Sequence, residues 1–193
     1  VQEWLKFDQP DFGHLTSEME LREGDVVPTG RMLQPRAEGE IAFVLKRDLR
    51  GPGVGGGDVL AATDCVKACF EIVDSRIRDW RIKIQDTIAD NGSSGMLVVS
   101  ERGVPPADAD LLGCAMVLEK NGEVVGTGTG AASMGSPVHA VVWLANKLGE
   151  LGITLRAGEI ILSGSLGPLV PAAAGDEMRL NIEGIGSCSV RFG

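Results

Sequence analysis

Ala37-Glu38-Gly39-Glu40-Ile41-Ala42-Phe43-Val44-Leu45 sets two carboxylates at the mouth of an apolar run, and this stretch decides what kind of sheet the chain builds. The run predicts a β-strand over residues 40–46, rich in the residues that fill a buried sheet. Side chains alternate in direction along a strand, so Glu38 and Glu40 project from one face into one small volume. Like charges that close resist joint ionisation unless a proton or a cation relieves them. Carboxylate oxygens are hard ligands and suit Mg²⁺, Mn²⁺ or Ca²⁺ better than zinc. The same pattern also suits glutamates alternating on a solvated strand edge, and the pair by itself leaves both readings open.

The chain around this strand has 193 residues, enough for one domain with a substantial core or two small ones. Its 44% hydrophobic and 23% charged content is that of an ordinary globular protein. No apolar run has the length to span a bilayer and no signal-peptide pattern opens the chain, so a cytoplasmic, non-membrane protein is expected. A net charge of -9 argues against a nucleic-acid partner, and an acidic ligand would need a metal or local basic residues to receive it. Cys65, Cys69, Cys114 and Cys188 lack the paired spacing of a zinc site and read as reduced core residues. Val1-Gln2-Glu3-Trp4-Leu5-Lys6 reads as the middle or end of a helix, so a segment upstream of Val1 is expected.

Outward from the strand, residues 8–36 are rich in Pro, Gly and Asp and predict loops with short strands. Asp58 is expected to cap a helix running to about Phe70, with Val59, Ala62, Val66, Cys69 and Phe70 on its apolar side. Strands are expected at 71–77 and 95–99, and Asn121-Gly122 marks a hairpin turn. Ser136-Pro137 opens the clearest helix, with Val138, Val141, Val142, Ala145 and Leu148 toward the core. Strands near 159–163, 177–183 and 187–192 complete the chain. Many strands, two long helices and no regular βαβ alternation indicate an α+β fold with a mixed or antiparallel sheet.

Glu71, expected where the chain returns from the capped helix to the sheet, is a candidate third carboxylate for a hard divalent cation. It could equally pair with Arg76 or Arg78 at a surface. Ile82 and Ile84 alternate against Lys83 and Gln85, predicting a strand whose polar face holds a substrate carboxylate or meets solvent. Ser163-Gly164-Ser165 ends a strand in small residues whose N–H groups could approach an anion, or make a plain turn. His14 and His139 are too few and scattered for a zinc triad, and no Gly-x-Ser-x-Gly elbow supports a serine hydrolase. Carboxylates with a divalent ion remain as the chemical engine.

Four blocks then recur in order: Gln9-Pro10-Asp11-Phe12-Gly13, Gln34-Pro35-Arg36-Ala37-Glu38-Gly39-Glu40-Ile41-Ala42-Phe43, Glu71-Ile72-Val73-Asp74-Ser75-Arg76 and Asp86-Thr87-Ile88-Ala89-Asp90-Asn91. Together they resemble the 2-hydroxypenta-2,4-dienoate (2-oxopent-4-enoate) hydratases of aromatic meta-cleavage pathways, in the fumarylacetoacetate hydrolase superfamily. Gly55-Gly56-Gly57 and Gly92 depart from the pattern, where larger residues are expected. The resemblance implies a mixed β-sheet rolled into a barrel-like core with flanking helices, forming a single catalytic domain over residues 1–193 that lacks an N-terminal segment. It implies Mg²⁺ or Mn²⁺ held by Glu38, Glu40 and Glu71, Asp11 in the active site, and a Lys on the upstream segment.

The implied reaction is hydration of a small 2-hydroxydienoate, through its 2-oxo tautomer, to 4-hydroxy-2-oxopentanoate. Asp11 is then the expected proton-transfer residue, and Lys83, Gln85, Ser163 and Ser165 are candidate substrate-pocket residues. A homo-oligomer is expected, with a pathway decarboxylase or aldolase as a candidate partner. The competing readings are 4-oxalocrotonate decarboxylase, with the same ligands but loss of CO₂, and a non-catalytic metal-binding subunit of a pathway complex.

Overall fold

A computed structural model describes residues 10–193, so Gln9 and the expected helix at Val1–Lys6 lie outside the described residues. The apolar run of the opening stretch becomes a ten-residue strand, Arg36–Leu45, lying antiparallel to Thr63–Val73. Numbering strands in chain order, these are β3 and β4. Strand β5 (Ser94–Val99) pairs antiparallel with β4, and β1 (Glu20–Arg22) runs parallel to β5. On the other side, β8 (Ile160–Leu162) and β9 (Val170–Pro171) both pair antiparallel with β3.

A second sheet has the order β2 (Val26–Val27), β11 (Gly186–Phe192), β10 (Glu177–Ile182), β6 (Ala115–Lys120) and β7 (Glu123–Thr129). Only its β2–β11 pair is parallel. Asn121 and Gly122 both have positive φ at the β6–β7 turn, as a two-residue I′ hairpin requires. Both sheets are thus mixed, and among the described residues the strand order closes neither into a barrel.

Alternation along β3 separates the two faces of the first sheet. Ala37, Ile41 and Phe43 join Val66, Phe70 and Ile72 of β4 in a core against Met116, Met178, Leu180 and Val190 of the second sheet. The other face carries Glu38, Glu40 and Ala42, beside Cys69 and Leu97. Gly39, between the glutamates, belongs to the core face, where an added Cβ would stand 2.5 Å from Leu180 Cδ1. The spacing residue of E-x-E is therefore the one that lets the second sheet close over the first.

Helix α1 (Gly56–Ala62) is shorter than the expected Asp58–Phe70 helix. Asp58 does serve its start, accepting the Gly55 N–H at 2.8 Å. The helix ends where the Thr63 hydroxyl donates to Val59 O, and residues 63–73 are strand. Positions 59, 62, 66 and 70 fit a helical period, but 66, 68, 70 and 72 also alternate, and pairing with β3 decides between them. The expected strand at Ile82–Gln85 is also corrected. Helix α2 (Ile84–Ala89) begins there because the Asp86 carboxylate accepts the Lys83 N–H at 2.8 Å. Helix α3 (Pro137–Glu150) matches its signals, with the Ser136 side chain capping Val138 N. No described helix is long and apolar enough to cross a membrane.

Replacing Gly39 by Ala should cost about 1–3 kcal/mol by overpacking against the fully buried Leu180. Urea denaturation measures it, and an unchanged midpoint would contradict the close approach of the sheets.

Candidate metal centre and active site

The β3–β4 register places Glu38 directly opposite Glu71, and Glu40 opposite Cys69, the next position on the same face. Each of Glu38, Glu40 and Glu71 offers a carboxylate oxygen, and these ligand atoms lie within 4.8 Å of one another. Glu38 and Glu40 are 4% and 1% exposed, while Glu71 is half-buried. Like charges in such cross-strand positions destabilise a sheet unless something else compensates them.

Neighbouring donors orient two of the three side chains. Gly164 N–H donates to Glu40 Oε2 at 2.8 Å and the Ser94 hydroxyl donates to Glu71 Oε1, while the Ser165 hydroxyl lies close enough to Glu38 to counter the rise in its pKa but donates to Gly167 O. Gly164 has φ +90°, a conformation that favours glycine, so the Ser-Gly-Ser turn does bring backbone close to an anion. That anion is a protein carboxylate.

Asp11 reaches the same cavity through an interlocking scaffold. Asp74 accepts the Leu33 and Gln34 N–H groups, tying the start of β3 to the end of β4. Arg76 does not pair with Glu71. It bonds the Asp90 carboxylate and the Asp74 and Asp90 carbonyls. Asn91 then clamps His14, accepting its N–H at 2.7 Å and donating to its carbonyl at 2.9 Å. Thr87 Oγ1 donates to Asp11 Oδ2 at 2.9 Å, and Asp11 lies near enough to Glu71 to help raise its pKa.

A cavity of about 1230 Å³ contains Asp11, Glu38, Glu40 and Glu71, with Ser163 and Ser165 on its wall. Lys83 and Gln85 are exposed and do not line it, because the segment expected as a strand turns into α2. His139 stands 3.4 Å from Met134 O, near the start of α3, in a structural position. Sequence reasoning missed Ser94 and Thr87, and it expected the Gly164 N–H to approach an anion without identifying that anion as Glu40. Ser94 carries no motif of its own, and it meets Glu71 only because β5 pairs with β4.

Burial is the largest cause of the raised pKa of each glutamate. It pushes Glu38 up to about 8, with help from Glu71, and holds Glu40 well above the carboxylate range, with help from Glu71 and Glu38. Glu71 is raised too, against the lowering effect of its hydrogen bond from Ser94. Glu38 Oε2 is buried without a hydrogen-bond partner among the described residues, and none of the three glutamates has an ion pair there. Hard oxygen donors, an orphaned carboxylate oxygen and uncompensated charge fit a hard divalent cation.

Without metal, the folded Glu38 carboxyl keeps its proton between its ordinary 4.5 and about 8, where the unfolded chain has lost it. The native state then binds more protons than the unfolded state, so stability falls as pH rises through that window. Thermal melts in chelator should show this decline, and Mg²⁺ or Mn²⁺ should reverse it at the alkaline end. A metal-free melting temperature rising from pH 5 to pH 8 would contradict it.

The fumarylacetoacetate (FAA) hydrolase C-terminal family matches residues 21–192. The chain is 58% identical over its whole length to a 2-hydroxyhexa-2,4-dienoate hydratase of Comamonas testosteroni, covering 74% of that protein. It is 58% identical to a 2-hydroxypent-2,4-dienoate hydratase of Pseudomonas putida, over 79% of this chain and 69% of that one. The structure of 4-oxalocrotonate decarboxylase from Pseudomonas putida G7, complexed with magnesium and adipate, superposes with a TM-score of 0.94 at 37% identity. That match covers all of this chain and 73% of the decarboxylase. With a matching family profile and whole-chain relatives at this identity, the chain belongs to the fumarylacetoacetate hydrolase family.

Proposed function

We propose that this protein is a cytoplasmic hydro-lyase that adds water to 2-hydroxypenta-2,4-dienoate, giving 4-hydroxy-2-oxopentanoate in meta-cleavage degradation of aromatic compounds. The observation that carries the reading is the convergence of three carboxylates, without a compensating ion pair among the described residues, beside Asp11 in one cavity. The dienoate hydratases named above, one matching this chain throughout and the other over 79% of it, support the same chemistry. Four unpaired cysteines agree with a reducing compartment.

Glu38, Glu40 and Glu71 would hold Mg²⁺ or Mn²⁺, which supplies a Lewis acid that stabilises negative charge on the substrate's oxygens. The Gly164 N–H and the Ser94 hydroxyl keep the Glu40 and Glu71 carboxylates in place. Thr87 fixes Asp11 Oδ2, leaving Oδ1 to carry the proton that must move between substrate carbon and water. The Ser163 hydroxyl, buried on the cavity wall without a hydrogen-bond partner among the described residues, would donate to the substrate carboxylate. Described residues 10–193 share one main core and so act as a single catalytic domain.

Decarboxylation of oxalocrotonate is the alternative, favoured by the likeness to the decarboxylase structure, although 37% identity is well below the 58% shared with the hydratases. Full-length enzyme should consume the dienol chromophore of 2-hydroxypentadienoate without releasing CO₂ from oxalocrotonate. CO₂ release with no dienoate hydration overturns the choice.

Asp11→Asn should lower kcat by about 10²–10⁴-fold with Mn²⁺ affinity retained, as expected for a proton-transfer group. Glu38→Gln should instead weaken Mn²⁺ binding while leaving the fold intact, since a neutral amide removes repulsion at a buried site. Mn²⁺ titration by electron paramagnetic resonance separates the two.

A further inference from the structure

The turn that follows β8 is fastened around Glu40. Ser163 N–H donates to Ile41 O at 3.2 Å and Leu166 N–H donates to Gly39 O at 3.0 Å, so the turn meets β3 on both flanks of that glutamate. Between these contacts the Gly164 N–H reaches the Glu40 side chain itself, at 2.8 Å. This N–H belongs to the peptide unit whose carbonyl is Ser163 O. A trans peptide holds its N–H and C=O in opposite directions, so that carbonyl faces away from Glu40. It accepts the Ser133 hydroxyl there. One peptide unit thus joins a serine on one side to a carboxylate of the cluster on the other.

Ser133 is itself held firmly. It is buried between β7 and α3, in a segment where Ala131 N–H donates to Leu112 O at 2.9 Å and Ser133 N–H donates to Gly130 O at 3.2 Å. A Cβ added at Gly164 would stand 3.5 Å from Ser133 Oγ, so the hydroxyl lies beside the turn. Hydrogen bonds in series polarise one another, so a donor on the carbonyl strengthens the N–H of the same unit. We propose that Ser133 is a positioning residue for Glu40, holding the Ser163–Gly164 peptide so that its N–H keeps the carboxylate turned toward Glu38 and Glu71. This rests on the metal reading of the three glutamates. Ser133 ligates nothing, and its effect passes through one peptide. Without the hydroxyl the Ser163 carbonyl loses this donor, and a rotation that finds another takes the Gly164 N–H off Glu40.

The test titrates full-length enzyme with Mn²⁺, read by electron paramagnetic resonance. Ser133→Ala should weaken Mn²⁺ binding about 10- to 100-fold, the effect of removing a group that orients a metal ligand. Ser133→Thr keeps the hydroxyl on an extended backbone (φ −82°, ψ 98°) that suits a β-branched residue, and should bind Mn²⁺ nearly as the unmodified enzyme does. Val190→Ala, a core truncation in β11, should lower the melting temperature and leave Mn²⁺ affinity unchanged. Equal losses in the Ala and Thr variants overturn the proposal, because packing and not the hydroxyl would then be the cause. Unchanged Mn²⁺ affinity in Ser133→Ala also overturns it, and a raised KM at saturating Mn²⁺ in that case makes Ser133 a substrate contact instead. Failure of the metal reading looks different. Unmodified enzyme that binds no Mn²⁺, or binds it equally well after Glu38→Gln, removes the metal site and the role of Ser133 together.

Discussion

Mutual repulsion among Glu38, Glu40 and Glu71 is the constraint on which the rest of the site depends. Strand alternation puts the first two on one face, and the β3–β4 register places the third opposite Glu38. Burial then strips each carboxylate of the water that would screen it, and the described residues supply no counter-charge. Such a cluster holds together only with protons or with a cation, and its donors are all hard oxygens. Arg76, one of the two arginines expected as surface partners of Glu71, is committed to Asp90 instead.

The same constraint explains why so much of the chain's polar bonding surrounds one corner of the first sheet. Asp74, Arg76, Asp90, Asn91 and Thr87 form a continuous hydrogen-bonded frame from the end of β4 to the segment bearing Asp11. None of these groups is among the three glutamates. Their effect is to fix where Asp11 stands relative to the glutamates and to hold the Phe12–His14 segment over the cavity. The sequence blocks that carry the family likeness are the parts of this frame.

Much of the architecture was legible in the sequence where local signals were unambiguous. The Asn121-Gly122 turn, the Ser136-Pro137 helix start and the late strands have chemistry that acts within a few residues. Residues 58–70 misled because their apolar positions fit both periods, and only a partner strand could choose between them. Lys83 and Gln85 misled because four alternating residues are too short a signal against a capping carboxylate three positions ahead. A barrel-like roll was expected, and the described strands form two open mixed sheets packed face to face.

The sequence alone determined that two glutamates share a face, because alternation is a property of any strand and needs no partner. It also determined that a hard cation suits them, because that follows from oxygen chemistry. Tertiary structure alone decided that Glu71 joins them, that Gly39 faces Leu180, and that Ser94 and the Gly164 N–H orient the carboxylates. These are contacts across strand registers and between distant loops. Their partners are chosen by which faces the core buries, and no local pattern in the chain encodes that choice.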